Sequence, residues 1–352
     1  MDRPVKLVLS RAQMYSVVGY QPLTRNRLGL SCDAEGRLTA VTHACENITA
    51  MSDDYIEWAT VAAKSLYDIP SMRLTQRLER VNTNLPTPIR APIEGPGTWP
   101  LESAMDEIAR VLEIDPVDLR LANYAETEPA DGRPWSSKKL REAYHDGARL
   151  FGWRERASKP RRDGFWYIGH GMATCTTGTF RFPGAARVRI CADGSVIVET
   201  GTHDIGTGTP TIVVQIVANE FGIDPGRVSV RWGETNLPTP APLYGSAATL
   251  GVGSAVLLAV RDAKAKLARL TTENDLAAAI RGAGMTEVVG DGAFALPNGA
   301  EVSENGAGTP YAMRTWGAIF VEVGVDPDLG IIACAAPSGA TRPAIPRPRA
   351  AR

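Results

Sequence analysis

The sequence predicts an α+β fold in which mixed sheets and helices form two successive domains. Alternating apolar residues on both sides of Asp33–Gly36 predict a β-hairpin, whereas apolar residues at helical spacing from Leu101 to Leu112 predict a helix. Strand and helix patterns continue in mixed order after residue 150. With 352 residues, 44% of them apolar and 22% charged, the chain is long enough to bury a core in each domain.

In the first domain, residues 3–10 have the pattern of a strand and residues 28–43 that of an antiparallel hairpin. The helix that includes Leu101 has Pro100 near its predicted start. Asp115 is a suitable N-cap for a second helix, because Pro116 follows it at the first helical position. The two helices are expected to form a helical hairpin.

A polar stretch with Pro129, Gly132 and Pro134 predicts a linker before a boundary near residue 150. We therefore expect domains at residues 1–150 and 151–333. The second domain has further predicted elements: strands at 169–173 and 228–232, two strands within 185–199 joined by a turn at 193–194, and helices at 210–221 and 249–270.

Residues 334–352 are rich in Pro, Ala and Arg and contain no acidic residue, so this segment cannot build a core. We expect a disordered tail. Such a composition is typical of genuine tails and also of an out-of-frame reading of a GC-rich gene, and we favour the out-of-frame interpretation.

The net charge of −1 gives no electrostatic reason to expect nucleic acid or an anionic membrane as a partner. Residues 1–11 lack a signal-peptide pattern, and no run approaches the roughly 18 apolar residues of a membrane span. We therefore expect a cytoplasmic protein whose partners are small ligands or proteins.

The five cysteines are scattered and form no Cys-x-x-Cys pair, which argues against an iron–sulfur or structural zinc site. We expect reduced, mostly buried thiols. His43 and Cys45 would share one face of a strand, but two ligands alone make a poor metal site. Packing is therefore the favoured interpretation of this pair, and no metal ligand is predicted.

The segment Glu199–Thr211 (ETGTHDIGTGTPT) is the sharpest local feature, since its glycines lead into a helix that has Pro210 at its first position. Glycines allow close backbone approach, and the free amides of a helix start suit an anion. A tight turn without a ligand explains the same residues. A nicotinamide fingerprint does not fit, because no third glycine or well-placed acidic residue completes it.

Two further segments are candidates. Small residues at Gly245–Ala255 would allow close approach by a ligand or by a neighbouring helix. In the loop Arg90–Gly97 (RAPIEGPG), Arg90 could hold an anionic oxygen or be an ordinary surface arginine. The isolated titratable residues that could carry acid–base chemistry are Glu94, His170, His203 and Asp204. No Ser–His–Asp set can be assembled from the spacing.

Taken in order, these motifs resemble the molybdopterin-binding subunit of the xanthine dehydrogenase and aldehyde oxidoreductase family, the molybdenum hydroxylases. The resemblance covers residues 2–330 and includes these segments: Arg3–Arg11, Tyr67–Pro70, Arg90–Gly97, Leu101–Glu107, Asp115–Asn123, Gly169–Ala173, Asp204–Thr209, Gly233–Thr235, Gly245–Ser246 and Trp316–Val323.

The resemblance implies a molybdenum–molybdopterin cofactor, in bacteria often extended by cytosine dinucleotide, and the fold of the family's molybdenum-binding domains. It implies hydroxylation of an aldehyde or N-heterocycle with water as oxygen source, and separate iron–sulfur and FAD subunits as electron acceptors. The residues that it assigns to the cofactor are Arg90 and Ala91 at the metal end, Gly206, Thr207 and Gly208 at the pterin, and Ser246, Ala247 and Ala248 packed close by.

Three departures stand out. Ile93 replaces the glycine that usually follows Arg-Ala-Pro, and its branched side chain could crowd the loop. The Gly-Gly-Phe-Gly segment that usually precedes residue 3 is missing. So is the later Gly-x-Gly-Glu segment with the family's general base, so no catalytic residue is assigned here. We expect a fragment cut at both ends and inactive alone, and a non-catalytic remnant without cofactor is the alternative.

Overall fold

The computed structural model describes residues 5–157, 159–270 and 275–334. The described residues divide into two compact units, one within residues 5–177 and 314–334 and the other within residues 178–313. The compact units do not divide near residue 150, because the strand at 314–326 joins the sheet of the first unit. The expected boundary near residue 150 concerns the family's domains, and it stays a prediction.

The helices and strands confirm the α+β class. The helices are α1 (Arg11–Val17), α2 (Glu94–Val111), α3 (Pro116–Ala122), α4 (Leu140–Phe151), α5 (Thr209–Phe221), α6 (Ala248–Leu267) and α7 (Leu276–Gly282). The strands are β1 (Thr24–Cys32), β2 (Leu38–Ala50), β3 (Ser71–Val81), β4 (Arg161–Asp163), β5 (Trp166–Gly178), β6 (Phe180–Arg181), β7 (Gly184–Cys191), β8 (Val196–Glu199), β9 (Val228–Arg231), β10 (Glu287–Phe294), β11 (Ser303–Glu304), β12 (Arg314–Asp326) and β13 (Ile331–Cys334).

In the first unit, β1 and β2 form the predicted antiparallel hairpin. β3 joins the other edge of β2 in parallel, which the sequence analysis did not predict. Helix α2 packs on this three-stranded sheet through a buried core that includes Val41, Leu101 and Met105. The apolar residues at helical spacing therefore form the buried face of α2.

The expected strand at residues 3–10 is wrong for its described part, because residues 5–10 form no strand and are exposed. Helix α2 also begins earlier than expected, with Pro100 inside it. Before Pro100, the amides of Gly95 and Gly97 already donate hydrogen bonds to the carbonyls of Ala91 and Ile93, each at 3.0 Å. The first helical turn is thus complete before Pro100.

Helix α3 begins as predicted. Asp115 caps it by accepting a hydrogen bond from the Val117 amide at 2.9 Å, and Pro116 takes the first position. Helix α4, which the sequence analysis did not predict, packs on β12 through a core with Tyr144 and Phe320. A second sheet of this unit has the order β13-β12-β5-β4.

The second unit contains a four-stranded sheet, in the order β10-β7-β8-β9, with α5 and α6 packed against it, and a two-stranded sheet of β6 and β11. The turn at 193–194 joins β7 to β8 as predicted, and β8 pairs in parallel with β9. The predicted helices at 210–221 and 249–270 correspond to α5 and α6. The predicted strand at 228–232 corresponds to β9.

The predicted tail includes one residue that the structure places in a strand, since Cys334 ends β13. Residues 335–352 lie outside the described residues. The expectation of mostly buried thiols is wrong: Cys45 is buried, Cys32 and Cys191 are half-buried, and Cys175 and Cys334 are exposed. All five cysteines are free thiols.

His43 and Cys45 are both buried on one face of β2. Nε2 of His43 lies 2.9 Å from Oδ1 of Asn26, whereas Nδ1 has no hydrogen-bond partner among the described residues. Burial lowers the pKa of His43 to about 4. The imidazole is therefore neutral in the folded protein at pH values where an exposed histidine is charged.

We expect His43 to make folding acid-sensitive. Its folded-state pKa lies below the unfolded value, so the unfolded state takes up a proton first as the pH falls from about 6.5 to 4. The free energy of unfolding should fall by up to about 3 kcal/mol over this window. Urea unfolding of wild type and His43→Gln at pH 7 and 4.5 measures the loss. His145→Gln, at an exposed histidine, is the matched control. An equal pH dependence of unfolding in wild type and His43→Gln would refute the role of His43.

Candidate functional site

The glycine-rich loop of the second unit lies where the sequence predicted. β8 ends at Glu199, residues 200–208 form a loop, and α5 begins at Thr209. Gly206 (φ +98°) and Gly208 (φ +80°) are in the left-handed region, which glycine adopts without steric cost. A Cβ at either position would meet no atom within 4 Å, so the space beside this backbone is open.

The amides of this loop converge on one carboxylate. Oδ1 of Asp204 accepts hydrogen bonds from the amides of Gly206 at 3.0 Å, Thr207 at 2.9 Å and Gly208 at 3.2 Å. Desolvation opposes ionisation of Asp204, but these hydrogen bonds lower its pKa overall. The amides that the sequence analysis expected to be free for an anion are therefore already hydrogen-bonded. They form an anion-binding nest that the chain's own carboxylate occupies.

A second loop leads into α6. Gly245 (φ +62°) and Ser246 (φ +59°) have left-handed backbone, and the buried Ala247 is the N-cap of the helix that begins at Ala248. The small residues that follow pack against protein: a Cβ at Gly251 would lie 2.3 Å from Cβ of Ala241. Close packing therefore accounts for this part of the small-residue segment.

Two contacts show that α5 and α6 run in the same direction. A Cβ at Gly253 would lie 3.1 Å from Cδ1 of Ile216, and Nζ of Lys264 pairs with Oε2 of Glu220 at 3.2 Å. From the first contact to the second, the residue numbers rise along both helices, by four in α5 and by eleven in α6. The helices therefore begin at the same end of the unit, and so Gly206–Gly208 and Ser246–Ala248 precede neighbouring helix N-termini. The side chain of Thr209 adds a buried hydroxyl without a hydrogen-bond partner among the described residues.

In the first unit, the exposed Arg90 lines an open cavity of about 680 Å³. Tyr20, Gln21 and Trp99 line the same cavity. Sequence reasoning missed Trp99, which lies in the first turns of α2 and is 70% exposed, an unusual exposure for a tryptophan. Arg90 and the glycine loop belong to different compact units. That they hold one cofactor, as the resemblance implies, stays a prediction.

The turn after Arg90 is strained. Ala91 (φ +58°) and Ile93 (φ +68°, ψ −67°) both have positive φ, which is unfavourable for a residue with a Cβ and most of all for a β-branched one. The Ile93 amide donates a hydrogen bond to the buried carboxylate of Glu57. No sequence signal marked Glu57, because it lies 36 positions away from its partner.

The candidate acid–base residues do not assemble into one site within either unit. Glu94 starts α2 and pairs with Arg314 at 3.0 Å, and His170 lies 2.9 Å from Oε2 of Glu322. His203 is exposed, and Asp204 holds the loop amides. Among the described residues, no group of three or more His, Cys, Asp or Glu side chains could hold a metal ion.

Comparison with known families decides the relationship. Two family profiles, both described as molybdopterin cofactor-binding domain, match residues 1–124 and residues 146–336. The chain belongs to the molybdenum hydroxylase family. It corresponds to part of the molybdopterin-binding large subunit of these oxidoreductases, as the motifs indicated.

Similar proteins in the family include two from Escherichia coli K12. The aldehyde oxidoreductase molybdenum-binding subunit PaoC is 34% identical over 244 residues, which cover 68% of this chain and 33% of that protein. The putative xanthine dehydrogenase molybdenum-binding subunit XdhA is 32% identical over 139 residues, 37% of this chain and 18% of that protein. The chain thus spans about a third or less of the length of these relatives.

Solved structures share the fold. Aldehyde oxidoreductase from Desulfovibrio desulfuricans matches with a TM-score of 0.74 at 21% identity, over 92% of this chain and 37% of that one. Reconstituted CO dehydrogenase from Oligotropha carboxidovorans matches with a TM-score of 0.76 at 19% identity, over 93% of this chain and 47% of that one. The predicted α+β fold of the molybdenum-binding domains is confirmed. No helix among the described residues has the length and apolar character to cross a membrane.

Proposed function

We propose that this chain supplies part of the cofactor-binding surface of a molybdenum hydroxylase. The observation that carries the proposal is the Gly206–Gly208 nest, in which three amides already bind one carboxylate oxygen beside open space. Such a nest suits an electron-rich group of a pterin cofactor, which would replace Asp204 as the acceptor. The residues present therefore fit the cofactor.

In this proposal, the amides of Gly206, Thr207 and Gly208 hold the pterin, and Ser246–Ala248 pack beside it at the neighbouring helix start. Arg90 and Ala91 line the metal end. When bound, molybdenum on its pterin would supply the centre at which the substrate is oxidised with oxygen from water. The chain's own residues bind and orient the cofactor.

The substrate class that we propose is an aldehyde or an N-heterocycle, which the names of the aldehyde oxidoreductase and xanthine dehydrogenase relatives support. We propose separate iron–sulfur and FAD subunits as partners. Since the match covers only 33% of the aldehyde oxidoreductase subunit, turnover would need protein beyond these 352 residues. We place the assembled enzyme in the cytoplasm.

We expect the purified chain to carry molybdenum and Gly208→Ala to lose about 90% of it. The substitution forces a Cβ into left-handed backbone, which costs about 1–2 kcal/mol and moves the third amide out of the nest. Gly222→Ala is the matched control, because Gly222 also has positive φ (+64°) and open surroundings but lies at the other end of α5.

The chain and both variants would be produced in a host that makes the cofactor, with and without cytosine dinucleotide. Metal analysis gives the molybdenum content, and the mass of the released pterin distinguishes the two forms. A wild-type chain that carries no molybdenum, or equal losses in the two variants, would contradict the proposed site.

A further inference from the structure

The turn that follows Arg90 has a geometry that the sequence does not favour. The Glu94 amide donates to the Pro92 carbonyl at 2.7 Å, which closes a three-residue γ-turn centred on Ile93. This form of the γ-turn is rare and strained even for unbranched residues. Strained backbone persists only where surrounding contacts determine it.

The contact that determines it here is a carboxylate. Oε1 of Glu57 accepts a hydrogen bond from the Ile93 amide, and Oε2 accepts one from the Tyr55 hydroxyl at 3.4 Å. Glu57 has no exposed surface, and burial raises the pKa of its carboxyl against the lowering effect of the Ile93 amide. Burying an ionisable group is costly, and no cation is among the groups that shift the pKa of Glu57 in the described part of the chain, so its burial indicates a specific role.

Glu57 is itself fixed to the sheet. Its amide donates to Oδ1 of Asn47 on β2 at 3.4 Å, and its carbonyl accepts from Nε2 of Gln76 on β3 at 2.9 Å. Gln76 also donates to Asn47 at 3.1 Å. A chain of hydrogen bonds therefore runs from the sheet through Glu57 to the strained turn.

We infer that Glu57 is a positioning residue whose carboxylate clamps the Arg90–Ile93 turn in its strained conformation and thereby fixes the direction of Arg90. The hydrogen bond from Glu57 offsets the backbone strain of Ile93, whose positive φ glycine would adopt without steric cost. This inference rests on the proposed function only for the statement that Arg90 faces the cofactor.

Trypsin cleavage after Arg90 tests the clamp without any cofactor. In the full 352-residue chain, Glu57→Met removes the acceptor and keeps the volume, so the turn should open more often and cleavage there should accelerate about tenfold or more. Glu57→Gln keeps a neutral acceptor and should give a smaller increase. Tyr55→Phe removes only the contact to Oε2 and should leave the rate unchanged. Cleavage after Arg73, within β3, is the internal reference.

Ile93→Gly provides the decisive comparison. With glycine the turn needs no clamp, so Glu57→Met should accelerate cleavage after Arg90 far less in the Ile93→Gly background than in wild type. The thermal midpoint of Glu57→Met should stay within a few degrees of wild type.

The inference is overturned by an unchanged rate after Arg90, by an equal rise after Arg73 with a lower midpoint, or by equal effects in both backgrounds. Molybdenum content is measured separately. Absence of molybdenum from the purified chain would thus refute the proposed function, whereas the role of Glu57 is tested by the cleavage rates alone.

Discussion

Replacing Arg120 with Met should lower the free energy of unfolding by about 3–5 kcal/mol. The Arg120 side chain is completely buried in α3, and its Nε donates to Oε2 of Glu102 at 2.8 Å. It also reaches Asp106 at 2.8 Å and the Pro116 carbonyl at 3.0 Å. Without the guanidinium, the Glu102 carboxylate, only 6% exposed, would remain as a buried charge without its cation.

Urea unfolding of single and double variants separates the charge from the packing. Glu102→Gln in the Arg120→Met background removes the uncompensated charge, and its amide oxygen can still accept from one of the two donors to Glu102, the Thr174 amide or the Tyr67 hydroxyl, so it should recover part of the loss. The exposed pair of Arg154 with Asp118 is the control, since Arg154→Met should cost at most about 1 kcal/mol. Equal losses for Arg120→Met and Arg154→Met would disprove the role of the buried pair.

Gly292→Ala should lower the free energy of unfolding by about 3 kcal/mol or more, because the new methyl group would meet backbone. A Cβ at Gly292 would lie 2.2 Å from the Ala255 carbonyl oxygen and 2.3 Å from the Ala259 amide nitrogen. Gly290 meets α6 in the same way, 2.2 Å from the Ala259 carbonyl oxygen. Helix α6 therefore lies directly on the backbone of β10.

A strand glycine with free surroundings provides the control for this prediction. Gly169 lies within β5, and a Cβ there would meet no atom within 4 Å. Gly169→Ala should therefore change the free energy of unfolding by less than about 1 kcal/mol. If chemical denaturation shows a similar small change for Gly292→Ala, the close packing of α6 on β10 is wrong.

Features that depend on a few neighbouring residues were predictable. The hairpin around Asp33–Gly36, the capped start of α3 at Asp115 and the turn at 193–194 all follow from local spacing and turn chemistry. The glycine-rich approach to α5 was predicted for the same reason, because Gly206 and Gly208 need left-handed backbone. The family also followed from short motifs taken in order.

The direction of the glycine-loop amides could not be predicted from motifs. Asp204 was known to lie near Gly206–Gly208, yet only the folded loop shows its carboxylate as the acceptor. The parallel arrangement of α5 and α6 depends on packing over the sheet, which is why the two candidate segments of this unit could not be placed together beforehand.

The sequence by itself determined where α3 and α5 begin, which glycines carry special backbone and which family the chain resembles, because these depend on chemistry within one or two turns of chain. Only the tertiary structure decided that Glu57 holds Ile93, that Glu102 pairs with Arg120 and that α6 rests on Gly290 and Gly292. Such contacts join residues 18 to 37 positions apart, as in Glu102–Arg120 and Ala255–Gly292. Their free energy comes from burial and from excluding water around charges, which no local pattern encodes.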